Sequence, residues 1–160
     1  MMNPADFRPS RRRFVGSGCA AVAAWAAGPL RAAPLPVMEV WKSPSCGCCR
    51  DWIALLERDG LSVRVHDQGN QAARERAGLP ARYASCHTAT IGGYAIEGHV
   101  PLREIRRLLA EKPAAIGLAV PGMPVGSPGM DGPAYGGRLD AYDVLLVLRD
   151  GSSRSYARYR

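Results

Sequence analysis

Along residues 37–159 the hydrophobic and polar positions change rhythm several times, and each change predicts an element. Val37-Met38-Glu39-Val40-Trp41 is a β-favouring run that ends at Lys42 and is broken by Ser43-Pro44, which predicts a strand running into a turn. Trp52, Ile53, Leu55 and Leu56 then recur at helical spacing, with Ser45 available as N-cap and Gly60 as the stop after Asp59. The cysteine-rich stretch between these two runs therefore opens a helix of about three turns. Val63 and Val65 alternate with polar neighbours from Ser62 to His66, a second strand, and Asn70 to Ala77 is a short polar helix closed by Gly78 and Pro80. His87–Ile91 and Tyr94–Glu97 flank Gly92-Gly93, a hairpin signal. Pro101 opens a helix that turns Leu102, Ile105, Leu108 and Leu109 inward and Arg103, Glu104, Arg106 and Arg107 to solvent. Residues 117–138 hold seven Gly and four Pro, which predicts a long irregular loop from Gly117 to Arg138 rather than regular structure. A C-terminal hairpin, Tyr142 to Leu148 and Ser153 to Tyr159, turns at Asp150-Gly151.

Charge changes this picture at one end only. The chain of 160 residues carries a net charge of +7, but residues 1–32 hold Arg8, Arg11, Arg12, Arg13 and Arg31 against Asp6 alone. The remaining excess is too weak and scattered to argue for nucleic acid or an anionic membrane surface. The N-terminal cluster instead precedes an apolar, Ala-rich run from Val15 to Ala27 and then Gly28-Pro29-Leu30-Arg31-Ala32-Ala33. This order reads as a twin-arginine export signal over residues 1–33, too short in its apolar part to span a membrane comfortably, with Cys19 inside the signal. Residues 34–160 are then one exported, periplasmic domain; the hydrophobic content of 47 % argues against disorder.

Export makes the cysteines informative. Cys46, Cys48, Cys49 and Cys86 would sit in an oxidising compartment, where thiols are paired, catalytic or metal-bound. Cys46 and Cys49 stand three apart at the start of a helix, within reach of one disulfide or one metal, where the helix dipole favours thiolates. Cys48 points away from either neighbour, and its role stays open. Cys86 is followed by His87, and His99 lies in the turn before Pro101. Pro121-Gly122-Met123 recurs as Pro128-Gly129-Met130, displaying two thioethers on tight turns. Thiolate and thioether donors select soft ions such as Cu(I), and imidazole accepts either copper state, so copper is the metal that uses all three. Zinc has no need of methionine, and the spacing fits neither ferredoxin pattern well. Trp41 and Trp52 are assigned to packing around the site, Met38 to the core and His66 to an ordinary strand end.

A strand, helix, strand, helix, hairpin, helix order with C-x-x-C at the first helix looks like a thioredoxin fold: α/β, a central mixed sheet flanked by helices, here with a long Gly/Pro-rich loop. In that fold the loop entering the hairpin, Tyr83-Ala84-Ser85-Cys86-His87, lies beside the cysteine turn. Thioredoxins place a cis-proline in that loop and this chain does not, which weakens a dithiol-exchange reading.

Lys42-Ser43-Pro44-Ser45-Cys46-Gly47-Cys48-Cys49 with its C-x-C-C core, Ser85-Cys86-His87-Thr88-Ala89, Gly92-Gly93-Tyr94, Glu97-Gly98-His99-Val100-Pro101, Pro121-Gly122-Met123-Pro124 and Gly126-Ser127-Pro128-Gly129-Met130, in that order, resemble the CopG copper-resistance family. The resemblance covers roughly residues 37–148 and concerns the exported thioredoxin-like proteins, not the DNA-binding regulators that share the name. It implies a thiolate-bridged, multinuclear copper site that interconverts Cu(I) and Cu(II) in copper detoxification. The candidate ligands are Cys46, Cys48, Cys49, Cys86, His87, His99, Met123 and Met130. Two rivals stay open: a periplasmic thiol oxidoreductase in which Cys46 attacks and Cys49 resolves, and a passive copper chaperone docking onto efflux or chaperone proteins.

Overall fold

The structure, a computed structural model, describes residues 35–160. The export signal read over residues 1–33 lies outside the described residues. The elements in chain order are β1 (Met38–Lys42), α1 (Gly47–Arg58), β2 (Val63–His66), α2 (Gln71–Arg76), β3 (His87–Ile91), β4 (Tyr94–Glu97), α3 (Leu102–Glu111), β5 (Ala115–Ala119), β6 (Tyr142–Leu148) and β7 (Ser153–Tyr159), with 3-10 turns at Ala81–Tyr83 and Pro133–Tyr135. One seven-stranded mixed sheet runs β2-β1-β3-β4-β5-β6-β7. Its first four strands, with β1 and β2 parallel and β3 and β4 antiparallel to their predecessors, are the thioredoxin-like core that the element order predicts. The last three strands extend it, β5 parallel to β4 and the C-terminal hairpin antiparallel beyond.

Alternation along the strands decides what each face buries. Met38, Val40, Ile91 and Ile96 from the sheet, Trp52, Ile53 and Leu56 from α1, and Ile105 and Leu108 from α3 form the main core. The opposite face carries a smaller cluster of Leu79, Tyr83, Ala95, Ala119 and Val147. Burying the larger aliphatic side chains of the main core contributes roughly 1.5–3 kcal/mol each, which fixes α1 against the sheet and so fixes the turn at its start.

Register then brings four chain segments to one edge of the sheet. Lys42 at the end of β1 pairs with His87 at the start of β3, so the cysteine turn and the Cys86 loop emerge side by side. Thr88 pairs with Glu97, which places His99 just beyond the end of β4, and Glu97 pairs with Ala119, so the loop after β5 leaves from the same edge.

Four local expectations are corrected. Ser45 does not cap α1: Cys46 is the N-cap residue, without a side-chain cap, and the Ser45 hydroxyl meets that of Ser43 at 3.1 Å. Residues 117–138 are not wholly irregular, because Gly117 to Ala119 complete β5 and Pro133–Tyr135 form a 3-10 turn. Glu104 is not on the solvent face of α3; it is buried, accepts a hydrogen bond from the Tyr159 hydroxyl at 3.0 Å and pairs with Arg103. Trp41 stacks on His66 with the rings 4.8 Å apart, under the Arg76 guanidinium, on the face of β1 opposite Val40 and Lys42.

Candidate metal centre

Ser43-Pro44 end β1 and the Cys46 amide donates to the Ser43 carbonyl at 3.1 Å, closing a tight turn. The buried Lys42 ammonium pairs with Asp67 and donates to the Ser43 carbonyl at 3.2 Å, holding that turn to the strand end. Cys46 keeps extended backbone, with φ −71° and ψ 101°, and Gly47, Cys48 and Cys49 form the first turn of α1. Because Cys46 is outside the helix, its side chain swings back over the first turn. Cys46 and Cys49 are joined as a disulfide with Cα atoms 5.4 Å apart, and Cys48 Sγ lies 3.7 Å from Cys46 Sγ. Cys48 thus comes to the same spot as its neighbours.

Cys86 faces this turn from the loop before β3. Its carbonyl lies 3.7 Å from Cys49 Sγ, and the four sulfurs are all within 4.8 Å of one another. On its other side Cys86 Sγ meets His99 Nε2 at 3.1 Å and His87 Nδ1 at 3.4 Å; these three residues form a second group that a metal ion could join. Cys86 belongs to both groups.

The imidazoles are set for lone-pair donation. Both are fully buried. Burial, then the neighbouring His99, pushes His87 down to about 3, and burial also lowers His99. Both rings are therefore neutral near pH 7. The Pro128 carbonyl lies 2.8 Å from His99 Nδ1 and can only accept, so Nδ1 carries the proton and the Nε2 lone pair faces Cys86. His87 lies against the Trp52 ring at 4.2 Å, and its Nε2 is buried without a hydrogen-bond partner. A buried polar nitrogen without a partner costs about 1–3 kcal/mol, which a packing role for His87 leaves unexplained. Burial, reinforced by Cys48, pushes the Cys86 thiol up to about 12, so its thiolate needs a compensating cation.

The two Pro-Gly-Met turns diverge. Pro128-Gly129-Met130 lies on α1 and Met130 is buried, its sulfur accepting from the Tyr135 hydroxyl at 3.2 Å. A side-chain carbon at Gly129 would come within 2.7 Å of the Trp52 amide nitrogen and 2.8 Å of the Cys48 carbonyl, so only glycine lets this turn sit against the cysteine helix. Met123 is 52 % exposed, on the outer turn. That turn is tied to the Cys86 loop by the Gly122 amide, which donates to Ala84, and by the Ser85 hydroxyl, which donates to the Gly122 carbonyl.

Residues outside the predicted ligand set hold the Cys86 loop in place. Buried Glu97 accepts from the Ser85 amide at 2.7 Å and the Thr88 hydroxyl at 2.6 Å, with the Arg74 guanidinium 3.7 Å away. Asn70 donates to the Ser85 carbonyl at 3.2 Å. Gly98, at φ +72°, removes the side chain that would strike Ser85 and the Val120 carbonyl at 2.5 Å, and so lets His99 reach Cys86. Ser85, Thr88, Glu97 and Gly98 stand within the motifs quoted above, without a role assigned from sequence, whereas Asn70 and Arg74 stand in none of them.

Comparison with known proteins places this geometry in a family. The family described as "Protein of unknown function, DUF411" matches residues 83–130, from the Cys86 loop through Met130. No curated protein matches the chain. A solved structure named copper resistance protein CopG, form 1, is 43 % identical with a TM-score of 0.71, covering 78 % of this chain and 98 % of that one. Form 2 of the same protein gives 43 % identity and a TM-score of 0.71, covering 80 % of this chain and all of the other. With nearly the whole relative covered at this identity and the cysteine turn intact, the chain belongs to the CopG copper-resistance family.

Proposed function

We propose that this chain is an exported copper-binding protein of copper resistance. It holds copper, more than one ion, between the cysteine turn, the Cys86-His87 loop, His99 and the two methionine turns. The observation that carries this reading is the position of Cys86, shared between a group of four sulfurs and a group with two buried imidazoles, each within 4.8 Å. Sulfur and neutral imidazole together suit copper better than a hard cation. The orphaned His87 Nε2 and the raised Cys86 thiol both fit a site completed by a cation. The relatives' description as copper resistance proteins supports the choice of metal. In this reading Cys46, Cys48, Cys49 and Cys86 are thiolate ligands, His87 and His99 imidazole ligands, Met130 an inner thioether and Met123 an outer one. The segment 1–33 delivers the domain to the periplasm, where copper efflux or chaperone proteins are its exchange partners.

Anaerobic titration of the reduced protein with Cu(I) tests this. Tight uptake of more than one ion is expected, with Cys86→Ser losing most of it because both groups lose their common member. Uptake unaltered in Cys86→Ser, with the variant folded by circular dichroism, would sink the reading.

The disulfide favours one rival, a thiol oxidoreductase acting through Cys46 and Cys49. Reduction of insulin by the metal-free protein at rates comparable to a thioredoxin would support that reading. It leaves His87 and His99 without a task.

A further inference from the structure

Resting on the copper-binding reading, we propose that Tyr135 is a positioning residue of the centre: its hydroxyl holds the Met130 thioether by one lone pair and so presents the other to copper. Tyr135 stands outside every motif that marks the candidate ligands.

The inner thioether needs such a partner. A methionine side chain turns about several bonds, which leaves its sulfur unplaced unless something fixes it. Of Met38, Met123 and Met130, the methionines among the described residues, Met130 is the one whose sulfur accepts a hydrogen bond, from the Tyr135 hydroxyl at 3.2 Å. A phenol is protonated at neutral pH and a thioether has no proton to give, so Tyr135 is the donor. Met130 is buried, which keeps water from taking the place of the phenol. The bond uses one of the two lone pairs on sulfur and leaves the second for a soft ion.

The local chain is built to aim both ends of this bond. Pro133 starts the 3-10 turn Pro133–Tyr135, in which the Tyr135 amide donates to the Gly132 carbonyl at 3.0 Å and the Gly136 amide to the Pro133 carbonyl at 3.1 Å. Gly136 and Gly137, at φ +62° and +74°, then turn the chain, and the Arg138 amide closes on the Tyr135 carbonyl at 3.2 Å. Five residues earlier the Met130 amide donates to the Ser127 carbonyl at 2.8 Å and the Gly129 amide to the Asp131 carboxylate at 3.3 Å. The Met130 turn is itself seated on α1 at Cys48 and Trp52, and its Pro128 carbonyl orients His99. Tyr135 thus does for the thioether what Pro128 does for the imidazole: an uncharged hydrogen-bonding partner decides which lone pair the donor offers. The Tyr135 ring is half-buried along a cleft that Asp51, Ala54 and Leu55 of α1 line, so removing the hydroxyl alone leaves the packing of the ring in place.

The test compares four full-length proteins, reduced and anaerobic: the wild type, Tyr135→Phe, Met130→Leu and the double variant, each loaded with Cu(I) and titrated with a Cu(I)-specific chromogenic chelator. Tyr135→Phe should weaken Cu(I) retention about fivefold, the scale of one hydrogen bond, with an unchanged circular dichroism spectrum. Added to Met130→Leu, the same change should weaken it no further, because Tyr135 acts through the sulfur that is already gone. A second measurement needs no copper. With 13C-methyl-labelled methionine, the Met130 methyl, assigned by its absence in Met130→Leu, should show the shift of a single rotamer in the metal-free wild type and move toward the rotamer average in Tyr135→Phe, while Met123 does not move. Equal losses in both backgrounds, retention unchanged or tightened in Tyr135→Phe, or a rotamer-averaged Met130 methyl in the wild type overturns the inference and leaves copper binding standing. A wild-type protein that takes up no Cu(I) overturns both.

Discussion

Pro121-Gly122-Met123 and Pro128-Gly129-Met130 are the same tripeptide seven residues apart in one loop, and the fold gives them opposite surroundings. Both glycines have positive φ, +69° and +81°, so the local turns are alike. What differs is the neighbour. Gly129 is pressed against the backbone of α1 at Cys48 and Trp52, and the adjoining Pro128 carbonyl orients His99; Gly122 has open space where a side chain would go. The loop folds on itself to make this possible, with the Gly126 amide on the Met130 carbonyl at 2.8 Å and the Asp140 carboxylate accepting from the Val125 amide at 2.9 Å. Identical short motifs therefore do not imply identical roles: the inner turn is part of the wall of the centre, and the outer one is its rim.

The sharpest way to break this comparison is to add a side chain to each glycine. Either Gly→Val change carries a positive-φ penalty of roughly 1–2 kcal/mol. At Gly129 the new carbon also collides with helix backbone that cannot yield without moving the cysteines. Gly129→Val should cost several kcal/mol in denaturant unfolding and abolish most Cu(I) uptake, while Gly122→Val should keep uptake within about twofold. Equal effects at the two positions would dissolve the distinction.

Acid offers a milder test. His87 and His99 stay neutral in the folded protein well below the usual imidazole range, because burial penalises the charged ring. The unfolded chain binds their protons near pH 6.5 and the folded chain binds that of His87 only near pH 3. The metal-free protein should therefore be stable above pH 6.5 and lose stability as pH falls toward 3, on the order of 1.4 kcal/mol per pH unit from His87, with His99 adding in the same direction. The Met130 amide, on the turn that His99 holds, should lose hydrogen-exchange protection before the Gly122 amide does. Loss in the reverse order would place the acid-sensitive contact elsewhere.

The smallest contrast is in the methionines themselves. Met130→Ala should destabilise by about 2 kcal/mol as a buried truncation, whereas Met123→Ala should stay within about 0.5 kcal/mol. A Met123→Ala protein that instead slows Cu(I) transfer to a chelator would sharpen the rim reading, since that effect owes nothing to stability.

Most of the sheet was legible because periodicity, glycine pairs and proline breaks all agreed over β1 to β4 and the terminal hairpin. β5 was not, for a physical reason: Ala115-Ile116-Gly117-Leu118-Ala119 has no alternation and contains a glycine that reads as loop. That glycine sits at a register shift where a side-chain carbon would fall 1.8 Å from the Ala95 carbonyl oxygen, so the fold requires it inside the strand. Glu104 misled for a similar reason, since helical position alone turns it outward and its partner Tyr159 lies 55 residues away.

By itself the sequence determined the donor chemistry: four thiols, two candidate imidazoles and two thioethers, with the C-x-C-C turn at a helix start, because residue type and short spacing are local properties. Only the tertiary structure decided how those donors meet. The pairing of Lys42 with His87 sets Cys86 against the cysteine turn, the Pro128 carbonyl selects the nitrogen that His99 presents, and Gly129 chooses which methionine turn goes inside. Each of these depends on the approach of backbones distant in the chain, and such approaches follow from strand register and core packing rather than from any motif.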